Sequence, residues 1–287
     1  MAQAPRVDCG DVPVDPYREA LYTPAELYDV QPYADSLDAR AYAWSHEIPS
    51  PQATLAQALH DHGIDEALTD WLPGRRLVGV MGGHDLDRSS ARYADAARLG
   101  WMLGQSYVVA TGGGPGAMEA ANLGCFLAGS SRDDLARAVT SLAGVPSFRP
   151  SVDQWAAKAM TVTAGIDGRD SLGVPTWFYG HEPPNVFANA IAKYFRNAIR
   201  EDMLLEVCTA GIIFLPGAAG TVQEIFQAAC ANYYAVETAV VPMLFVGREH
   251  WTETLPAWPL VSALRAGRPA RAHLLDTVEG VSELLLG

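Results

Sequence analysis

Residues 215–224 read LPGAAGTVQE. Two groups with chemistry, the Thr221 hydroxyl and the Glu224 carboxylate, stand one helical turn apart behind a loop of small residues, Gly217, Ala218, Ala219 and Gly220. Small residues let a ligand approach the main chain, and the free amides of a helix start, aided by the helix dipole, favour an anion such as phosphate. The Thr221 hydroxyl can add one hydrogen bond. A carboxylate one turn further on would lie beside a sugar carried by that phosphate, where it can stabilise an oxocarbenium-like transition state or activate water. The same spacing, Thr221-x-x-Glu224, is also a capping box in which the glutamate only bonds back to the Thr221 amide. Spacing leaves both readings open.

A second glycine cluster, residues 112–117, reads GGGPGA and formally fits G-x-G-x-x-G/A. A dinucleotide reading also needs an acidic residue about 20 positions on, after the next strand. Asp133 and Asp134 fall in that range but in a polar, helix-starting segment, so an NAD-type dehydrogenase is the weaker alternative. No glycine loop continues into Gly-Lys-Ser/Thr, which excludes a P-loop. His60-x-His62 lacks a third ligand nearby and reads as an exposed helix end rather than a metal pair. His84 and Asp85, after Gly82-Gly83, stand at a strand end and can line a pocket. His181-Glu182-Pro183-Pro184 is a cap or a lid. Trp177, Phe178 and Tyr179, and Tyr233-Tyr234, could stack a base, although core packing explains them as well.

The elements that must position these groups follow a strand, glycine turn, helix rhythm from residue 75. Apolar runs at 76–81, 106–110, 211–215 and 240–246 read as strands, with a further strand-like stretch at 175–179. Helical periodicity covers 89–103, 115–127, about 132–143 and 152–161, 186–208, 221–234 and 251–266. Residues 273–278 and 281–286 read as a closing strand and helix. Short apolar strands alternating with helices imply an α/β fold, a doubly wound parallel sheet with helices on both faces. Ligands in such sheets sit at the C-terminal strand ends, and the glycine clusters at 82–83, 112–116 and 217–220 all fall there. Residues 1–74 read as a mostly helical N-terminal extension with a helix over 51–72, and 75–287 as the Rossmann-like domain.

Of the 287 residues, 49% are apolar and 18% charged, enough for a sizeable core. The net charge of −13 opposes binding to nucleic-acid backbones but not to a small anion held by local amides. No apolar run approaches the ~20 residues of a membrane helix, and the N-terminus has no signal-peptide pattern. Cys9, Cys125, Cys208 and Cys230 form no C-x-x-C pair, which suits a reducing cytoplasm.

The two motifs together resemble the LOG (Lonely Guy) family, earlier described as possible lysine decarboxylases. That family carries G-G-G-x-x-G-x-M after one strand and P-G-G-x-G-T-x-x-E after a later one. Here the first reads Gly112-Gly113-Gly114-Pro115-Gly116-Ala117-Met118, its glycines shifted but its methionine kept, and the second is 216–224. The resemblance spans residues 76–125 and 183–284, and leaves a long insertion at about 126–182. It implies a Rossmann-like nucleotide-binding fold and hydrolysis of a nucleoside 5′-monophosphate, such as AMP or a cytokinin nucleotide, to free base and ribose 5-phosphate. The alternative is a nucleotide-binding or sensing module of the same fold without hydrolysis. By the resemblance Glu224 and Arg200 are catalytic, with Arg196 the fallback. Gly83, Gly113, Gly114, Met118, Gly217, Gly220 and Thr221 shape the site. It implies no metal or redox cofactor, and a homodimer whose contact includes residues 186–199. Decarboxylase chemistry does not carry over, because Lys158 and Lys193 are the only lysines and neither sits in a pyridoxal-phosphate signature. Ala218 replaces the motif's second glycine, and Ala210 a common aspartate. Were φ positive at residue 218, its methyl would cost about 1 kcal/mol or more.

Overall fold

The structure, a computed structural model, describes residues 7, 9–178, 182–264 and 271–286. Among the described residues seven parallel strands form one sheet: β1 (Leu77–Met81), β2 (Val108–Thr111), β3 (Ser171–Gly173), β4 (Ala190–Ile191), β5 (Gly211–Phe214), β6 (Met243–Val246) and β7 (Ala272–Leu275). Their spatial order is β4-β3-β2-β1-β5-β6-β7. The chain therefore builds outward from β1 in one direction, returns, and builds outward in the other. The reversal lies between β1 and β5, where Met81 is level with Phe214. The crevice above that point is where a sheet of this topology binds ligands.

Alternation along the central strands dictates two helical layers. Leu77, Met81, Ile212, Phe214, Met243 and Phe245 enter one core. Val78, Val80, Ile213, Leu215, Leu244 and Val246 enter the other. The first is covered by α8 (Asn197–Val207), α9 (Ala219–Tyr234) and α10 (Ala257–Leu264). The second is covered by α4 (Ala91–Leu103), α5 (Ala117–Phe126), α6 (Arg132–Leu142), α7 (Val152–Thr163) and α11 (Glu279–Leu285). The 126–182 segment thus adds α6 and α7 to one layer and β3 to the sheet. No helix among the described residues is long and apolar enough to cross a membrane.

The N-terminal residues form α1 (Pro24–Leu27), α2 (Leu37–Ser45) and α3 (Pro51–Trp71), each started by a serine or threonine cap: Thr23, Ser36 and Ser50. They pack on the β4 edge. Tyr22 pairs antiparallel with Ile191, and Leu27, Ile64 and Leu68 are fully buried in the first core. Buried Asp38 pairs with buried Lys193 and accepts a hydrogen bond from Trp177 Nε1 at 2.8 Å. His60 is not at an exposed helix end: it is fully buried, 2.8 Å from the Tyr22 hydroxyl.

Three expected elements differ, and one of them is the helix expected over 251–266, which is broken into a π-helical turn at His250–Thr254 and α10, starting at Ala257 just after Pro256. Residues 186–208 are not one helix: β4 occupies 190–191 and α8 begins only at Asn197. The Asn185 side chain accepts from the amides of Phe187 and Ala188, and Asp61 from those of Phe195 and Arg196. These bonds offer the backbone partners other than a helix. Most of 186–195 is buried inside the chain. A contact between copies along 186–199 would therefore fall to exposed α8 residues such as Ile199. The strand expected over 175–179 is displaced to β3, with Thr176 making a single parallel bridge to Tyr194. Tyr179, His181 and residues 265–266 lie outside the described residues.

Candidate functional site

A cleft of about 740 Å³ opens over the C-terminal ends of β1, β2 and β5. Its floor is the loop that links β5 to α9. The helix starts at Ala219, with Ala218 as N-cap and no side-chain cap. The first-turn amides of Ala219, Gly220 and Thr221 therefore have no acceptor within the helix. Thr221 is buried with its hydroxyl against Gly217, where a Cβ would come within 2.2 Å of Oγ1. Gly217 is thus required by its neighbour. Gly220 is not, since a Cβ there would meet nothing within 4 Å. A glycine that the fold does not need, in the first turn of a helix and facing a cleft, leaves room for a ligand against the main chain. The strain foreseen at Ala218 does not arise: its φ is −120°.

The capping box does not form. With the helix starting at Ala219, Thr221 is its third residue and Glu224 turns to the cleft instead. Glu224 Oε1 lies 3.7 Å from Arg200 Nη1, and the same nitrogen lies 3.0 Å from Glu201 Oε2. All three residues are buried, Arg200 at 8% exposure and Glu224 at 7%. Burial, and then the neighbouring Glu201, push the Glu224 carboxyl up to about 8, against the opposing pull of Arg200. Burial also raises Glu201. Two carboxyls that share one guanidinium in a poorly solvated pocket both have their protonated forms favoured. Arg200 Nε is buried and finds no acceptor among the described residues, so the guanidinium has a donor to spare. Arg196, the alternative arginine, is exposed, and its backbone is held by Asp61 instead.

The facing wall comes from the β2–α5 loop. Gly112, Gly114 and Met118 line the cleft, with Gly82 and Gly83 beside them. Met118 lies across Gly112 and Gly114: a Cβ at either would come within 2.9 Å of its thioether. Gly113 does not reach the cleft. Its φ of +73° turns the chain, and a Cβ would meet Pro175 Cδ at 2.8 Å and Gly173 Cα at 3.1 Å. Two buried asparagines fix this wall. Asn185 donates to Gly114 O at 3.1 Å and to Asn122 Oδ1 at 3.0 Å, while Asn122 donates to Ser171 Oγ and Leu172 O of β3. Gly116, at φ +71°, lets the two glycine turns meet, with the Ala117 amide donating to Gly83 O.

His84 and Asp85 stand at the cleft mouth, with His84 Nδ1 3.2 Å from Glu182 Oε1 and Nε2 3.0 Å from Asp85 Oδ1. Glu182 is raised by burial, opposed by His84 and Arg200. Trp177 is a core residue stacked on Phe195, and Asp134 caps its own helix. Neither faces the cleft, and neither do Phe178, Tyr233 and Tyr234. Glu201 is legible in the sequence only as a neighbouring salt-bridge partner for Arg200, a pairing that forms at 3.0 Å, and no spacing singles out Asn122, Asn185 or His250. His250 Nε2 lies 3.1 Å from Gly217 O and braces the floor. Burial lowers its pKa, against the raising effect of the Gly217 backbone contact.

No family model matches the sequence, and no curated protein matches it. Among solved structures, the chain is similar to the molybdenum cofactor binding protein from the phototrophic bacterium Rippkaea orientalis. That match has 15% identity over 75% of this chain and 97% of that one, with a TM-score of 0.46. It is also similar to the molybdenum cofactor carrier protein from Chlamydomonas reinhardtii, at 16% identity over 74% and 98%, with a TM-score of 0.46. The fold class itself is defined by the sheet order and the two helical layers described above.

Proposed function

We propose that the chain hydrolyses the N-glycosidic bond of a nucleoside 5′-monophosphate, as its resemblance to the LOG family implies. The observation that carries this reading is Glu224: a buried carboxyl, raised to about 8, one turn beyond a helix start with free amides and in contact with Arg200. The 5′-phosphate sits on the Ala219–Thr221 amides and the Thr221 hydroxyl. Glu224 is three residues on, about 4.5 Å along the helix axis, and so lies beside the ribose. Arg200 gives its spare Nε–H to a ribose hydroxyl. In its neutral form Glu224 donates its proton to the departing base. The carboxylate left behind faces the oxocarbenium-like carbon and then takes a proton from the attacking water, whose hydroxyl completes ribose 5-phosphate.

The test is chromatographic. Pure protein is incubated with AMP, GMP, CMP, UMP and isopentenyl-AMP, and free base is measured. Release from at least one nucleotide, lost in Glu224→Ala, is the expected result. No release from any would overturn the reading. One feature supports a binding or sensing module instead: the nearest carboxylate to Arg200 is Glu201, not Glu224. That reading expects thermal stabilisation by nucleotide without turnover. A cytoplasmic homodimer belongs to the same proposal, and light scattering that found a monomer would count against the dimer.

A further inference from the structure

The cleft does not close behind the phosphate loop. A second cleft of about 560 Å³ opens over the C-terminal ends of β6 and β7. Leu86, Arg92, Pro216 and His250 line both, so the β5–α9 loop is the ridge between two adjoining spaces. Arg92, at the start of α4, is the charged residue on that ridge. The other arginines of the second cleft are neutralised. Arg98 pairs with Asp95 at 3.1 Å and Glu279 at 2.5 Å, and Arg248 with Asp276 at 3.0 Å. Arg92 makes no ion pair with any described residue. Its exposed guanidinium remains available beside the place assigned to the 5′-phosphate.

The remaining wall has a distinct character. It offers the Glu249 carboxylate, which has no ion pair among the described residues, and the hydroxyls of Thr254 and Thr277. Such a wall repels further phosphates and accepts hydrogen bonds from a neutral polyol. In the placement given under Proposed function, a nucleoside monophosphate occupies the first cleft. We propose that the site takes a nucleotide extended at its 5′ end, a nucleoside 5′-diphosphate joined to a second sugar. Its α-phosphate rests on the Ala219–Thr221 amides, its β-phosphate against Arg92, and its second sugar over β6 and β7. The assignment rests on the phosphate placement given under Proposed function and is independent of hydrolysis.

The experiment titrates the full chain carrying Glu224→Gln, which prevents turnover, with AMP, ADP, ADP-ribose and ATP, and repeats the series with Arg92→Ala added. ADP-ribose is expected to bind about tenfold or more tighter than AMP, since a charge-assisted contact is of that size, and ATP no tighter than ADP. Arg92→Ala is expected to remove the advantage of ADP-ribose while leaving AMP binding within about twofold. Equal affinities for AMP and ADP-ribose, or an equal loss for both in Arg92→Ala, would overturn the extended ligand and leave the monophosphate reading standing. Binding of none of the four would overturn the extended ligand, and the monophosphate reading falls with it if the five-nucleotide screen also releases no base.

Discussion

Arg200 stands closer to Glu201, at 3.0 Å, than to Glu224, at 3.7 Å. One guanidinium therefore serves two buried carboxyls, and Glu224 receives the smaller share. This is why Glu224 holds a proton up to about pH 8: burial disfavours its anion, Glu201 adds a like charge, and Arg200 only partly compensates. Glu201 is thus a positioning residue that acts on Glu224 through charge.

Glu201→Gln is expected to lower the Glu224 pKa, because it removes a repelling charge and leaves Arg200 to Glu224 alone. If Glu224 donates a proton in the reaction, the high-pH limb of the kcat/KM profile should move to lower pH in this variant. An unchanged limb, with folding intact, would show that the two carboxyls are not coupled in the way described.

The raised Glu224 pKa also makes stability depend on pH. Its folded value, about 8, exceeds the ordinary carboxyl value. The folded chain therefore binds more protons than the unfolded one between that ordinary value, near pH 4.5, and pH 8. Its contribution is full below the ordinary value and is lost as pH rises towards 8. Glu201 and Glu182 are raised as well and act in the same sense. Glu224→Gln should flatten this decline by an amount on the order of a few kcal/mol, read from urea unfolding at pH 5 and pH 8.5. A slope identical to that of the unaltered chain would refute the buried, protonated carboxyl.

What the sequence revealed follows the physics of each element. Central strands β1, β5 and β6 are short apolar runs buried on both faces, and their ends carry the glycine turns, so the switch point and the α9 loop were legible. The β4 edge was not. Two residues of strand cannot display a period, and the 186–196 segment takes its shape from Asp61 and Asn185, which lie outside it in the chain. Within the site, Glu224 and Thr221 were legible from one loop. Arg200 entered only through the family resemblance, because no spacing rule links a residue of α8 to one of α9 across the intervening strand. Asn122, Asn185 and His250 act through contacts that only the folded sheet brings together. Gly113 was grouped with its neighbours by motif, although its role is to pack on β3.

Gly220→Ala separates ligand contact from folding. A methyl there meets nothing within 4 Å, and alanine in a helix is favoured over glycine by up to about 1 kcal/mol. The variant should be as stable as the unaltered chain or slightly more so, yet bind AMP about tenfold or more weakly, because the methyl stands over the amides that hold phosphate. Urea unfolding and calorimetric titration read the two effects separately. Unimpaired binding would remove the phosphate from this helix start.

The buried Asp38–Lys193 pair offers a test of how firmly the N-terminal residues belong to the sheet edge. Both side chains are almost completely excluded from solvent, and Asp38 also takes hydrogen bonds from Trp177 Nε1 and from the Tyr33 hydroxyl. Burial lowers the Lys193 pKa, opposed by Asp38, so the ammonium depends on its partner. Asp38→Ala leaves that charge unpaired and strips two donors of their acceptor, which should cost about 3–5 kcal/mol. Lys193→Met also leaves a buried charge, on Asp38, but the two donors continue to hold it, so the loss should be smaller. The order of the two losses, measured by urea unfolding, distinguishes a hydrogen-bonded hub at Asp38 from a simple ion pair, in which either deletion would cost the same.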